Sequence, residues 1–136
     1  MHQDIRIGAP AAPGNNATVT LVDTTAIFGK SGLRMNGIHR VCMSFPGLDQ
    51  DSAASGLKGY SSPDHGANWY PCTFAPSGDP AALPLTVAAA TVSDFTSYDV
   101  DVTTHDDVKF TFTAGATGPT VWAPVLVLEV KRVSGV

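Results

Sequence analysis

Apolar and polar residues take turns along most of this chain, a period-two pattern that reads as strands with one wet and one buried face. From Ala17 onward, Val19, Leu21 and Asp23 fall opposite Thr18, Thr20 and Val22. This predicts a long strand ending near Phe28, at the turn Gly29-Lys30-Ser31-Gly32. Ile38 to Phe45 predicts a second, with His39, Val41, Met43 and Phe45 on one face and Ile38, Arg40, Cys42 and Ser44 on the other. Shorter strands follow at Leu57–Ser61 and Asn68–Phe74, and a small-residue strand at Leu85–Val92.

The C-terminal third reads as a hairpin. Tyr98, Val100 and Val102 alternate with Ser97, Asp99, Asp101 and Thr103, and after the turn Thr104–Asp107, Val108, Phe110, Phe112 and Ala114 alternate with Lys109, Thr111 and Thr113. Such a pairing would set Lys109 opposite Asp99 or Asp101. The last strand, Thr120 to Val130, is apolar on both faces over Val125-Leu126-Val127-Leu128. That pattern requires a central strand covered on both sides, or one face buried by another subunit.

Residues 1–16 carry the punctuation Gly8-Ala9-Pro10 and Pro13-Gly14 and read as an extended N-terminal arm, with a short edge strand over Gln3–Ile7. Residues 17–136 then form a single domain. Strands at close spacing with no helical window predict an all-β fold, an antiparallel β-sandwich of jelly-roll type. Composition supports this: of 12 acidic residues eleven are Asp and one is Glu, beside 13 Gly and 10 Pro. Asp, Gly and Pro make turns where Glu would favour helix. A coiled coil, a helical bundle and a disordered acidic tail are excluded.

Charge narrows the partners. A formal net charge of −4, with eight scattered basic residues, argues against a nucleic-acid partner, which requires clustered Lys and Arg. The longest apolar stretch, Val121 to Leu128, is too short to cross a bilayer. The N-terminus has no apolar core of a signal peptide, so the expectation is a cytosolic product with Cys42 and Cys72 reduced. A disulfide between them requires facing strands. The sequon Asn16-Ala17-Thr18 then has no glycosylating compartment to act in.

Chemical motifs are sparse. Phe28-Gly29-Lys30-Ser31 ends like a phosphate loop, but the position that should carry the first Gly is Thr24, and turns follow instead of a helix. His105-Asp106-Asp107, and Asp49 with Asp51, are too few oxygens for calcium. His39 and Cys42 have opposite strand parity and cannot chelate one metal. No Gly-x-Ser-x-Gly elbow is present. The expectation is therefore a non-enzyme without metal or cofactor.

Ser62-Pro63-Asp64-His65-Gly66-Ala67-Asn68-Trp69 resembles the Asp-box, Ser-x-Asp-x-Gly-x-Thr-Trp, with Asn68 in place of Thr. The resemblance implies a structural hairpin in which Asp caps backbone amides, Gly takes a special dihedral and Trp packs beneath. One copy cannot build a propeller, so sialidase activity does not come with it. The chain as a whole resembles virion structural proteins of tailed bacteriophages, of the head decoration or cement type, through its arm Met1–Asn16, the segment Tyr98–Ala114 and the doubly apolar Val121–Val130. That resemblance implies a capsid decoration protein acting in the virion and made in the host cytoplasm. It would stabilise a shell by contacts with the major capsid or another virion protein, as a homo-oligomer with a trimer favoured. The expected contact residues are Ile5, Ile7, Pro10, Pro13, Trp122, Val125 and Val127. The competing reading is a carbohydrate-binding or adhesin module that stacks sugars on Tyr60, Trp69 and Tyr70.

Overall fold

The computed structural model describes residues 2–28, 38–49, 56–72, 95–102 and 106–131. Within them lie strands β1 (His2–Ile7), β2 (Thr18–Asp23), β3 (Ile38–Pro46), β4 (Gly56–Ser62), β5 (Tyr70–Cys72), β6 (Phe95–Asp101), β7 (Asp107–Thr113) and β8 (Val125–Lys131), with one short helix, α1 (Thr24–Phe28). The strand expected at Leu85–Val92, and the turns at Gly29–Gly32 and Thr104, lie outside the described residues.

Two four-stranded antiparallel sheets form, one in the order β1-β8-β3-β6 and the other β2-β7-β4-β5. The first we call the terminal sheet and the second the tip sheet. Each strand pairs with its mirror image in chain order: β1 with β8, β2 with β7, β3 with β6 and β4 with β5. The chain is thus one long hairpin, doubled over at the β4–β5 turn. Pairings β3–β8 and β4–β7 roll it into a sandwich. This is the jelly-roll order, and the all-β sandwich expected from the alternation is present.

Period two explains the core. Val41, Met43 and Phe45 of β3 and Leu126 and Leu128 of β8 point inward from the terminal sheet. Leu57, Val108, Phe110 and Phe112 meet them from the tip sheet, all fully buried or nearly so. Phe45 lies 5.9 Å from Phe112, and Trp122, from the loop before β8, lies 5.3 Å from Phe112 and 6.4 Å from Phe45. Offset aromatic packing at these distances adds about 0.5–1.5 kcal/mol per pair beyond burial.

Three expectations need correction. First, the strand opening at Ala17 stops at Asp23 and does not run to Phe28. A bulge between Thr20 and Val22 turns Leu21 and Val22 both into the core, so Asp23 faces outward with Lys109 as register partner. There its Oδ1 accepts from the Thr25 amide at 3.0 Å and the Thr25 hydroxyl at 2.6 Å, an N-cap that starts α1. Second, β6 and β7 are not a hairpin: β6 pairs with β3 and β7 with β2 and β4, so the chain crosses between sheets after Val102. Lys109 therefore does not face Asp99 or Asp101.

Third, residues 2–16 do not stand away from the domain as an arm. β1 is an edge strand on β8, with Ile5 opposite Leu128 and Ile7 opposite Leu126, and both isoleucines pack on the core. Beyond it, Pro13 is buried, Trp122 Nε1 donates to the Pro10 carbonyl at 2.8 Å, and the Asn16 amide donates to Gly115 O at 2.8 Å. The Gly118 amide donates to Asn15 Oδ1 at 2.7 Å, and a Cβ at Gly118 would stand 2.8 Å from Pro13 O. That approach admits only glycine.

Candidate functional site

The two outer faces of the sandwich and the β4–β5 tip hold the polar chemistry. At the tip, Ser62 Oγ accepts from the Gly66 amide at 2.8 Å and donates to Asp64 Oδ1 at 2.8 Å. Asp64 accepts from the Asn68 amide at 2.9 Å and from Asn68 Nδ2 at 2.7 Å. The Asn68 side chain, then its amide and Ser62, hold the Asp64 carboxyl down at about 2. The turn reverses through positive φ at His65 (57°) and Gly66 (89°), and a Cβ on Gly66 would meet Thr25 Cγ2 at 3.1 Å.

Below the tip, the buried Asp107 carboxylate accepts from Thr24 Oγ1 at 2.9 Å and lies 3.2 Å from His65 Nδ1. Thr24 Oγ1 also accepts from the Val108 amide at 3.1 Å. The trio joins α1, β7 and the tip. In a nucleophile–histidine–carboxylate triad the histidine stands between nucleophile and carboxylate. Here the carboxylate stands in the middle and Thr24 is wholly buried, so the trio is a structural clamp.

Lys109 projects from the outer face of β7 beside Tyr60 of β4, its register partner. Its Nζ lies 4.7 Å from the Trp69 ring centroid and 5.2 Å from that of Tyr60. Both rings offer their negative faces to the cation. Tyr60 and Trp69 therefore converge, as a sugar platform requires, but around a lysine. Tyr70 has the opposite parity and is 56% exposed. The period-two pattern marks Lys109 as outward, but its partners come from β4 and the tip, about forty to fifty positions earlier in the chain. Only the register brings them together.

On the terminal sheet, Arg40 binds Glu129 through Nε at 2.6 Å and through Nη2, and Asp99 through Nη1 at 3.2 Å. Cys42 Sγ donates to Asp99 Oδ1 at 3.6 Å; burial, then the Asp99 charge, push this thiol up to about 11. Cys42 and Cys72 sit on different sheets as free thiols.

The expected contact residues divide. Ile5, Ile7, Pro13 and Trp122 are taken up in the chain's own packing, and Pro10 is tied to Trp122, whereas Val125 and Val127 face outward beside Ser44 and Cys42. Among the described residues no three His, Cys, Asp or Glu side chains gather as a metal site. No helix among them is long and apolar enough to cross a membrane. No protein-family model matches the chain, and no curated protein matches it.

Proposed function

We propose that this chain is a non-enzymatic structural protein of a virion, a capsid decoration or cement module that works through its surface. The observation that carries the reading is the outward pair Val125 and Val127 on β8, a strand interior to its sheet. An outer sheet face open to water favours polar residues; a β-branched apolar pair at its middle favours a protein neighbour. Arg40 bridges Glu129 and Asp99 beside it, and this pairing offsets part of the cost of covering them. Jelly rolls serve as viral capsid domains, which supports the reading at the level of architecture. The neighbours are the major capsid protein and further copies of this chain, with a trimer as the expected oligomer.

Such a protein stabilises a shell by contacts that exist only after assembly, so disassembly must break them. The test is Val127→Asp, which leaves the inward face untouched. Co-sedimentation with assembled shells should fall at least about tenfold, since a new carboxylate, with Arg6 as its register partner, would have to be desolvated in the contact, while the melting temperature stays near that of the parent. Undiminished co-sedimentation overturns the assignment of this face, and a chain that binds no shell overturns the function.

A further inference from the structure

We infer that Lys109, Trp69, Tyr60 and Thr111 form a binding site for a carboxylated sugar, a hexuronate unit of an acidic polysaccharide, on the outer face of the tip sheet. The inference is independent of the shell-contact reading, which concerns the opposite face.

Four observations converge. The Lys109 ammonium is flanked by two rings at 4.7 and 5.2 Å, which hold its charge but offer no lone pair to its three N–H donors. Among the described residues it has no ion pair. The two carboxylates on its own face are otherwise engaged: Asp23 caps α1, and Asp107 is held by Thr24 and His65. Lys58 is exposed one strand over, so two ammonium groups share this face with two carboxylates whose hydrogen bonds are directed into the fold.

The fourth observation is Thr111, two residues along β7 on the same face and 8% exposed, whose hydroxyl makes no hydrogen bond to any described residue. Nearly covered hydroxyls normally have a partner. It lies about 7 Å from Lys109 along the strand, the reach of one sugar ring. A uronate satisfies the whole set. Its carboxylate takes the ammonium, a ring hydroxyl takes Thr111, and its C–H face lies on Trp69 or Tyr60. A nucleic-acid backbone would bring dense charge against a net-negative protein with only two lysines here, which disfavours it.

Calorimetric titration of the full chain tests this, with oligogalacturonate against a neutral galactose oligomer of equal length. The acidic oligomer should bind saturably and the neutral one at least about tenfold more weakly, the scale of a charge-assisted hydrogen bond. Lys109→Gln should abolish that preference and Lys109→Arg should retain it, with unchanged melting temperatures confirming the fold. Tyr70→Ala should leave binding as it was. Equal binding of acidic and neutral sugars, an unchanged affinity in Lys109→Gln, or no binding of galacturonate or glucuronate oligomers at about 10 mM overturns the site. Equally tight binding of a glutamate oligomer overturns the sugar and leaves a charge patch.

Discussion

The two outer faces of this sandwich handle charge in opposite ways. On the terminal sheet the cation is ion-paired, Arg40 being bound to both Glu129 and Asp99, and the apolar pair Val125 and Val127 lies beside this network. On the tip sheet the carboxylates serve the fold, Asp23 as a helix cap and Asp107 as the centre of a buried clamp, and Lys109 remains over its aromatic rings. On the readings proposed above, the first face suits a neighbour that excludes water and the second a ligand that brings an anion. Both follow from the same rule: what is left unpaired after folding decides what a surface can bind.

The sharpest way to probe the contrast is to step across β8 by one residue. Leu126 is fully buried between the sheets and Val127 faces out. Leu126→Ala should cost about 2–5 kcal/mol, the transfer term plus the cavity it leaves. Val127→Ala should cost less, about 1 kcal/mol, because that side chain is partly exposed and its loss leaves no closed cavity. Urea unfolding of the two variants measures the difference. Equal losses would mean that Val127 is a core residue, and the face would lose its claim to a partner.

That one-residue step is legible in the alternation of the sequence, and so is the sandwich. Val41, Met43 and Phe45, and Val108, Phe110 and Phe112, repeat every second position because half of each strand is buried. Pairing is not legible. The alternation within Tyr98–Val102 and Val108–Ala114 is local, and nothing local tells a hairpin from a crossing between sheets. The bulge at Thr20–Val22 is hidden for a related reason: strict alternation makes Leu21-Val22 one inward and one outward residue, whereas both are buried. The Lys109 platform depends on two facts of this kind, the β4–β7 register and the turn that brings Trp69 back.

On the tip sheet the next effect in size comes from the clamp. Asp107→Ala removes the acceptor of Thr24 and the partner of His65, and should cost about 1–3 kcal/mol for the buried groups left unmatched. Amide exchange should then rise through the tip, residues 62–69, and leave β3 and β8 protected. Uniform loosening of both sheets would show that the two faces are not independent, and the comparison would fail.

The smallest effect is a change in pH dependence. The Asp64 carboxyl is held at about 2 against an ordinary 3.8, chiefly by the Asn68 side chain and amide, with Ser62 behind them. A carboxyl depressed in the folded state contributes stability that is fully present above its unfolded value. That contribution fades as pH falls through about 4 and is gone below about 2. Asp64→Asn should therefore be less stable than the parent at pH 7, and the gap should close on acidification through this window. The charges around Arg40 are common to both proteins and drop out of the difference. A gap that persisted unchanged at the lowest pH would mean that the hydrogen-bond geometry of the turn, and not the carboxylate charge, holds the tip together.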